Sequence, residues 1–132
     1  MTRLLFDTTF LIDADRSGSA LDEFIDDEDD VAISAVTIAE LGVGVALSTG
    51  RSRKAREAFF ADVEATIPSV DYDSNVAKEH RDLLVTVRRQ GRQRGAHDLI
   101  IAATARATGR TVVSADESAF DDLPGVLLLR HR

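Results

Sequence analysis

Four carboxylates stand where charge is otherwise missing. Glu40 is the only charged residue between positions 31 and 50, Asp98 the only one between 95 and 105, and Asp7 the only one between 4 and 12, while Asp116 follows the apolar run at 111–113. An ionised carboxylate in such core-like surroundings costs several kcal/mol unless something compensates it. None of the first three stretches contains a lysine or arginine. If the four converge, a pair about 4 Å apart repels by about 4 kcal/mol at an effective dielectric near 20, and a divalent cation turns that repulsion into attraction. All-oxygen ligands select Mg²⁺ or Mn²⁺ over zinc. The absence of cysteine removes thiolate catalysis, thiolate zinc sites and disulfides.

Convergence requires elements that carry the acids to one place. Residues 3–6 read as a short buried strand ending at Asp7, with Thr8-Thr9 as the cap of a short apolar helix over 10–12. Leu21, Phe24 and Ile25 keep helical spacing until the run Asp26-Asp27-Glu28-Asp29-Asp30, which reads as a solvated loop. Residues 31–33 form a second strand. Ser34 and Thr37 suit the start of a helix running to about residue 48 that Gly50 closes, and its nearly all-apolar composition predicts burial. Residues 51–66 are an amphipathic helix with a basic first turn, 67–70 a third strand, and Asp73 or Ser74 caps a helix that Gly91 ends. Its inner stripe includes His80, read as a satisfied core histidine. Residues 96–108 form another helix before Gly109, 111–114 a fourth strand and 126–129 a last one. Short, continuously apolar strands alternating with helices give an α/β domain whose central parallel sheet is flanked by helices on both faces. Asp7 and Asp116 then lie at carboxyl ends of strands, the edge along which such sheets place their ligand crevice, and Asp98 and Glu40 early in helices that can face the same edge.

The 132 residues suit one domain spanning 1–132. No apolar run reaches the length of a membrane span, and Asp7 interrupts the first apolar segment, so a cytoplasmic protein is expected. The formal charge of −7 is uneven: residues 1–30 hold ten acids against Arg3 and Arg16, giving −8, and the remainder sums to +1. Polyanions are therefore not excluded. Arg51, Arg53, Lys54 and Arg56 form one basic group and Arg88, Arg89, Arg92 and Arg94 another; each is a candidate contact for RNA or a protein partner, or a solvated face.

Read singly, each acid has a plainer role. Asp7 suits a cap, Asp98 a first-turn acid favoured by the helix dipole, Asp116 a turn opener, and Glu40 a partner for Arg94 or Arg106. His97, next to Asp98, points elsewhere on its helix. A receiver-like signalling or interaction module also gathers acids at a parallel sheet's carboxyl edge, but it expects an acidic pair after the first strand and a lysine after a late one. Neither Phe6-Asp7-Thr8 nor residues 111–118 supply them. An Asp-x-Asp phosphatase fails because position 9 is threonine.

The segments Leu5-Phe6-Asp7-Thr8-Thr9-Phe10-Leu11-Ile12, Thr37-Ile38-Ala39-Glu40-Leu41-Gly42-Val43-Gly44, His97-Asp98-Leu99-Ile100-Ile101-Ala102-Ala103-Thr104-Ala105 and Val112-Val113-Ser114-Ala115-Asp116 through Phe120 closely resemble PIN-domain ribonucleases. Their order and spacing are similar to those of VapC-type toxins. The resemblance covers essentially the whole chain. It implies a PIN-like fold, Mg²⁺-dependent endoribonuclease activity and inhibition by a cognate VapB-like antitoxin. It also carries Asp7, Glu40, Asp98 and Asp116 onto the family's acidic site, Thr9 onto its polar position near the first acid, and Ser114 onto a position where threonine is common. Asp116 matches the family's least uniform acid, with Glu117, Asp121 and Asp122 close enough in sequence to assist. In this reading metal held by the carboxylates orients a water, lowers its pKa and stabilises charge on the scissile phosphate. The apolar helix at 35–47 is offered to a homodimer or antitoxin interface.

Overall fold

A computed structural model describes residues 1–130. Strands β1 (Arg3–Phe6), β2 (Asp30–Ser34), β3 (Ser69–Val70), β4 (Thr111–Ser114) and β5 (Leu128–Arg130) alternate with helices α1 (Thr8–Arg16), α2 (Ala35–Leu47), α3 (Gly50–Thr66), α4 (Ser74–Gln90) and α5 (Ala96–Thr108). Single 3-10 turns occupy Leu21–Phe24 and Glu117–Ala119. The five strands form one parallel sheet in the order β3-β2-β1-β4-β5.

Side-chain alternation along the central strands divides the core in two. Leu5 pairs in register with Ala32 and Val112, and these three face α4 and α5, packing with Val76, Leu83, Leu99 and Ile101. Leu4, Phe6, Ile33 and Val113 face the other way, against Phe10 and Leu11 of α1 and Val63 of α3. Being covered on both faces is why β1 and β4 read as unbroken apolar runs. The chain winds from β1 outward to β2 and β3, then crosses to β4 on the other side of β1. That reversal puts a topological switch point between the carboxyl ends of β1 and β4, where Asp7 and Ser114 stand.

Several local expectations are corrected. The cap of α1 is Asp7, whose side chain accepts from the Phe10 N–H, and Thr8-Thr9 already belong to the helix. α2 stops at Leu47, where the Ser48 hydroxyl donates to the Val45 carbonyl; Gly50 opens α3, its φ of +60° supplying the reversal between the two helices. β5 begins two residues later than the apolar run suggests, because Val126 closes a turn onto the Leu123 carbonyl. α2 is not buried: only Thr37 and Leu41 are, and Val43 and Leu47 are 56% and 80% exposed. Its neighbours cover one side of it, so the apolar composition exceeds what this chain alone needs. His80, half-buried, is satisfied by the Tyr72 hydroxyl at 2.8 Å.

Leu83→Ala should lower stability by about 2–5 kcal/mol, since Leu83 is fully buried between the helices and the sheet. Leu47→Ala should change it by no more than about 0.5 kcal/mol. Urea denaturation of both variants measures the difference.

Candidate active site

Asp7 is positioned by three elements at once. It directly follows β1, it caps α1, and Ser114 at the end of β4 donates to its Oδ2 at 2.6 Å. Its Oδ1 accepts from the Phe10 N–H at 2.9 Å, and the Thr9 hydroxyl lies 3.0 Å from both carboxylate oxygens. The side chain is 1% exposed. Burial raises its pKa above the ordinary aspartate value, and Asp116 adds to the rise; the bonds from Ser114, Phe10 and Thr9 oppose it.

Asp98 is the third residue of α5, with Gly95 at the N-cap. Burial first, then the negative charges of Asp7, Glu40 and Asp116, push its pKa to about 6, and His97 works against them. The acids therefore stand close enough to repel one another. Glu40 is half-buried, its Oε1 accepting from the buried Thr8 hydroxyl at 2.8 Å, which also lies 3.2 Å from the Thr37 hydroxyl. Its Oε2 is 3.5 Å from Nδ1 of His97. Asp116 is exposed and begins the 3-10 turn; its Oδ1 accepts from Ser118 at 2.7 Å, and its backbone N–H donates to the Ser114 hydroxyl at 2.9 Å. Ser114 thus joins Asp116 to Asp7.

The expectation of four core-like acids holds fully for Asp7, in part for Asp98 and Glu40, and not for Asp116, because β4 ends one residue before the chain emerges into solvent at Ala115. Thr8 and Thr37 read in sequence only as helix starts and His97 as pointing away from Asp98, while the structure gathers the three around Glu40. Thr37 was visible three residues before Glu40 on one helix face, whereas Thr8 lies 32 residues from Glu40 and only the packing of α1 on α2 joins them.

Among the described residues, no arginine or lysine forms an ion pair with Asp7, Glu40, Asp98 or Asp116. Arg94 pairs with Asp121 and Arg106 with Glu79, so neither neutralises Glu40. The donors are all carboxylate oxygens whose charges oppose one another, the chemistry that suits a hard divalent cation. No three of them, among the described residues, already close around one point: Glu40 is turned to Thr8 and Asp116 to Ser118.

The basic groups separate. Arg51, Arg53 and Lys54 are exposed on the first turns of α3, Arg53 pairing with Glu57, and Arg56 reaches the Gly44 carbonyl. Arg88 and Arg89 are exposed in the last turn of α4, where the helix dipole favours them. Arg92 pairs with Asp121. Arg94 is a correction: its side chain is 2% exposed and its guanidinium is enclosed by backbone carbonyls, which removes it from any contact surface. Beside Glu40, a pocket of about 130 Å³ opens between α1, α2 and α3, lined by Ile12, Leu41, Phe59 and Phe60, with Arg56 and Asp15 at its margin.

Sheet order and site together define a class: a parallel α/β domain with a carboxylate centre at its switch point. The model of the PIN domain family matches residues 4–126, and the chain belongs to that family. It is 30% identical over 128 residues to Ribonuclease VapC5 of Mycobacterium tuberculosis, covering 96% of this chain and 93% of the relative. A crystal structure of VapBC-5, a member of the VapBC family of toxin-antitoxin systems from the same organism, superposes with a TM-score of 0.80 at 28% identity, over 99% of this chain and 100% of that one. VapBC2 from Rickettsia felis, solved bound to a DNA fragment from its promoter, shares the fold with a TM-score of 0.88 at 20% identity, over 99% and 100% of the two chains. PIN-domain ribonucleases are metal-dependent as a class.

The raised pKa of Asp98 sets a pH dependence. Between the ordinary value of 3.8 and about 6, the folded protein holds the Asp98 proton that the unfolded chain has released, so stability falls as pH rises through this window. Without metal, Asp98→Asn should therefore melt at a higher temperature than the wild type at pH 7.5. At pH 3.5 the two should differ little, and calorimetry at both values reads this out.

Proposed function

We propose that residues 1–132 act as one Mg²⁺-dependent endoribonuclease toxin domain, with Mn²⁺ able to substitute, held inactive by a cognate VapB-like antitoxin. Positions 131 and 132 of that span lie outside the described residues. The observation that carries the reading is that four carboxylates near enough to act on one another stand, among the described residues, without an arginine or lysine partner at the switch point of a PIN-domain sheet. Asp7 and Asp98 are the principal holders of the metal, with Glu40 and Asp116 completing the donor set. Bound there, the ion supplies positive charge against the phosphodiester and lowers the pKa of a water nucleophile.

The protein's own residues supply order. Ser114, Thr9 and the Phe10 N–H fix the Asp7 carboxylate in one orientation. Thr8 fixes Glu40, and the partially exposed Asp98 opens the site to solvent and substrate. Arg51, Lys54, Arg88 and Arg89 are surface cations available to RNA phosphates or to the antitoxin, while the exposed Arg53 and Arg92 already pair with Glu57 and Asp121. The uncovered apolar side of α2 suits a homodimer or antitoxin contact. The site of action in this reading is the cytoplasm, where RNA and antitoxin are met; no helix among the described residues is long and apolar enough to cross a membrane.

Purified, antitoxin-free protein should cleave RNA in the presence of Mg²⁺ or Mn²⁺ and stop on addition of EDTA. Asp7→Asn and Asp98→Asn should each reduce the rate by about 10²–10³-fold, and Asp116→Asn by about tenfold. Metal should raise the Tm of the wild type more than that of either principal variant. Equal shifts in all of them, or no cleavage across a broad RNA panel, would remove the proposal.

A further inference from the structure

The segment between α4 and α5 is tied to the loop that follows Asp116. Arg94 donates to the carbonyls of Ser118, at 3.4 Å, of Ala119, at 3.2 Å, and of Asp121, and its Nη1 stands 3.4 Å from the Asp121 carboxylate. Arg92 adds bonds to the Ser118 carbonyl at 3.2 Å and to the Asp121 carboxylate at 3.0 Å. The loop they hold contains Asp122, the only non-glycine residue with positive φ among those described, at +60°. Such a conformation is unfavourable for a residue with a Cβ and persists where neighbours enforce it. Burying a guanidinium to 2% exposure, with its Nε lacking an acceptor among the described residues, is also costly.

Both ends of this tie lead to site acids. Arg94 precedes Asp98 by four residues, and its acceptors begin two residues beyond Asp116. Gly95, between Arg94 and α5, makes the second observation. Its φ of −59° and ψ of 137° are open to any residue, so backbone freedom does not explain a glycine there. A Cβ at this position would instead lie 2.6 Å from Oδ2 of Asp98 and 3.3 Å from its Cγ. The missing side chain is the space in which the Asp98 carboxylate rests.

We propose that Arg94 and Gly95 are positioning residues for the acidic site: Arg94 fixes the loop bearing Asp116 against the start of α5, and Gly95 leaves room for the Asp98 carboxylate beside it. The proposal rests on the metal-dependent nuclease reading and assigns to it two residues that touch neither metal nor RNA. In metal centres, such supporting groups typically govern affinity by about 10–100-fold.

The test is Mn²⁺ binding to the purified, metal-free full chain by calorimetry, alongside Tm and RNA cleavage. Gly95→Ala should weaken Mn²⁺ binding by at least about tenfold with the metal-free Tm retained, and raising Mn²⁺ should restore its cleavage rate. Arg94→Gln should weaken binding to a similar degree. Arg106→Gln is the control: Arg106 ties the far end of α5 to Glu79 and the Pro124 carbonyl, so its loss should lower Tm and leave Mn²⁺ affinity unchanged. If Arg94→Gln does not fold, Gly95→Ala decides. Wild-type affinity in Gly95→Ala overturns the proposal while a cleaving, Mn²⁺-binding wild type keeps the nuclease reading. A wild type that neither binds Mn²⁺ nor cleaves overturns both.

Discussion

A carboxylate buried to 1% exposure at the centre of a parallel sheet is the constraint around which this fold is arranged. Left alone, Asp7 would be protonated or would pull water into the core. Instead its oxygens receive donors from the start of α1, from Thr9 and from the end of β4, so one side chain cross-links β1, α1 and β4 where the strand order reverses. Those bonds moderate the effect of burial without cancelling it, since the pKa remains raised. The residual cost bears on the proposed metal site: positive charge delivered to this edge would meet groups whose ionised forms the protein disfavours, and would relieve Asp98 and Asp7 together. Ser114 extends the arrangement by accepting from the Asp116 backbone while donating to Asp7, which couples the exposed acid to the buried one.

The sheet was legible in the sequence because strands covered on both faces must be continuously apolar, and residues 3–6 and 111–114 are bounded as expected. Asp7, Glu40 and Asp98 were legible for the complementary reason, each being conspicuous in a stretch without other charge, whereas Asp116 was marked only by the apolar run before it. What escaped was information held between segments. Apolar composition made α2 look buried, but composition does not reveal whether a helix is covered by its own chain or left for another surface. Gly50 read as a stop and is a start, because a left-handed residue between two helices serves the one that follows as well as the one that precedes. Arg94 read as one cation in a basic run, and its burial depends on carbonyls 24 to 27 residues away. Thr8 and Glu40 meet only once α1 packs on α2.

Net charge gives the opposite impression from geometry. Most of the excess acid precedes residue 31, and its densest run, Asp26 to Asp30, leads into the amino end of β2. There Asp30 is held by Arg110, whose guanidinium also reaches the Leu4 carbonyl, and by Arg3. The carboxyl edge lies a strand's length away, about 13 Å for the four steps from Asp30 to Ser34 at about 3.3 Å each. This exceeds the Debye length of about 8 Å at physiological ionic strength. The acidic run is therefore largely screened from the carboxyl edge, where Asp7, Glu40, Asp98 and Asp116 act on one another directly. In the proposed reading these are the charges that a bound metal ion would neutralise, so the ion that serves the chemistry would also make the edge approachable to phosphate.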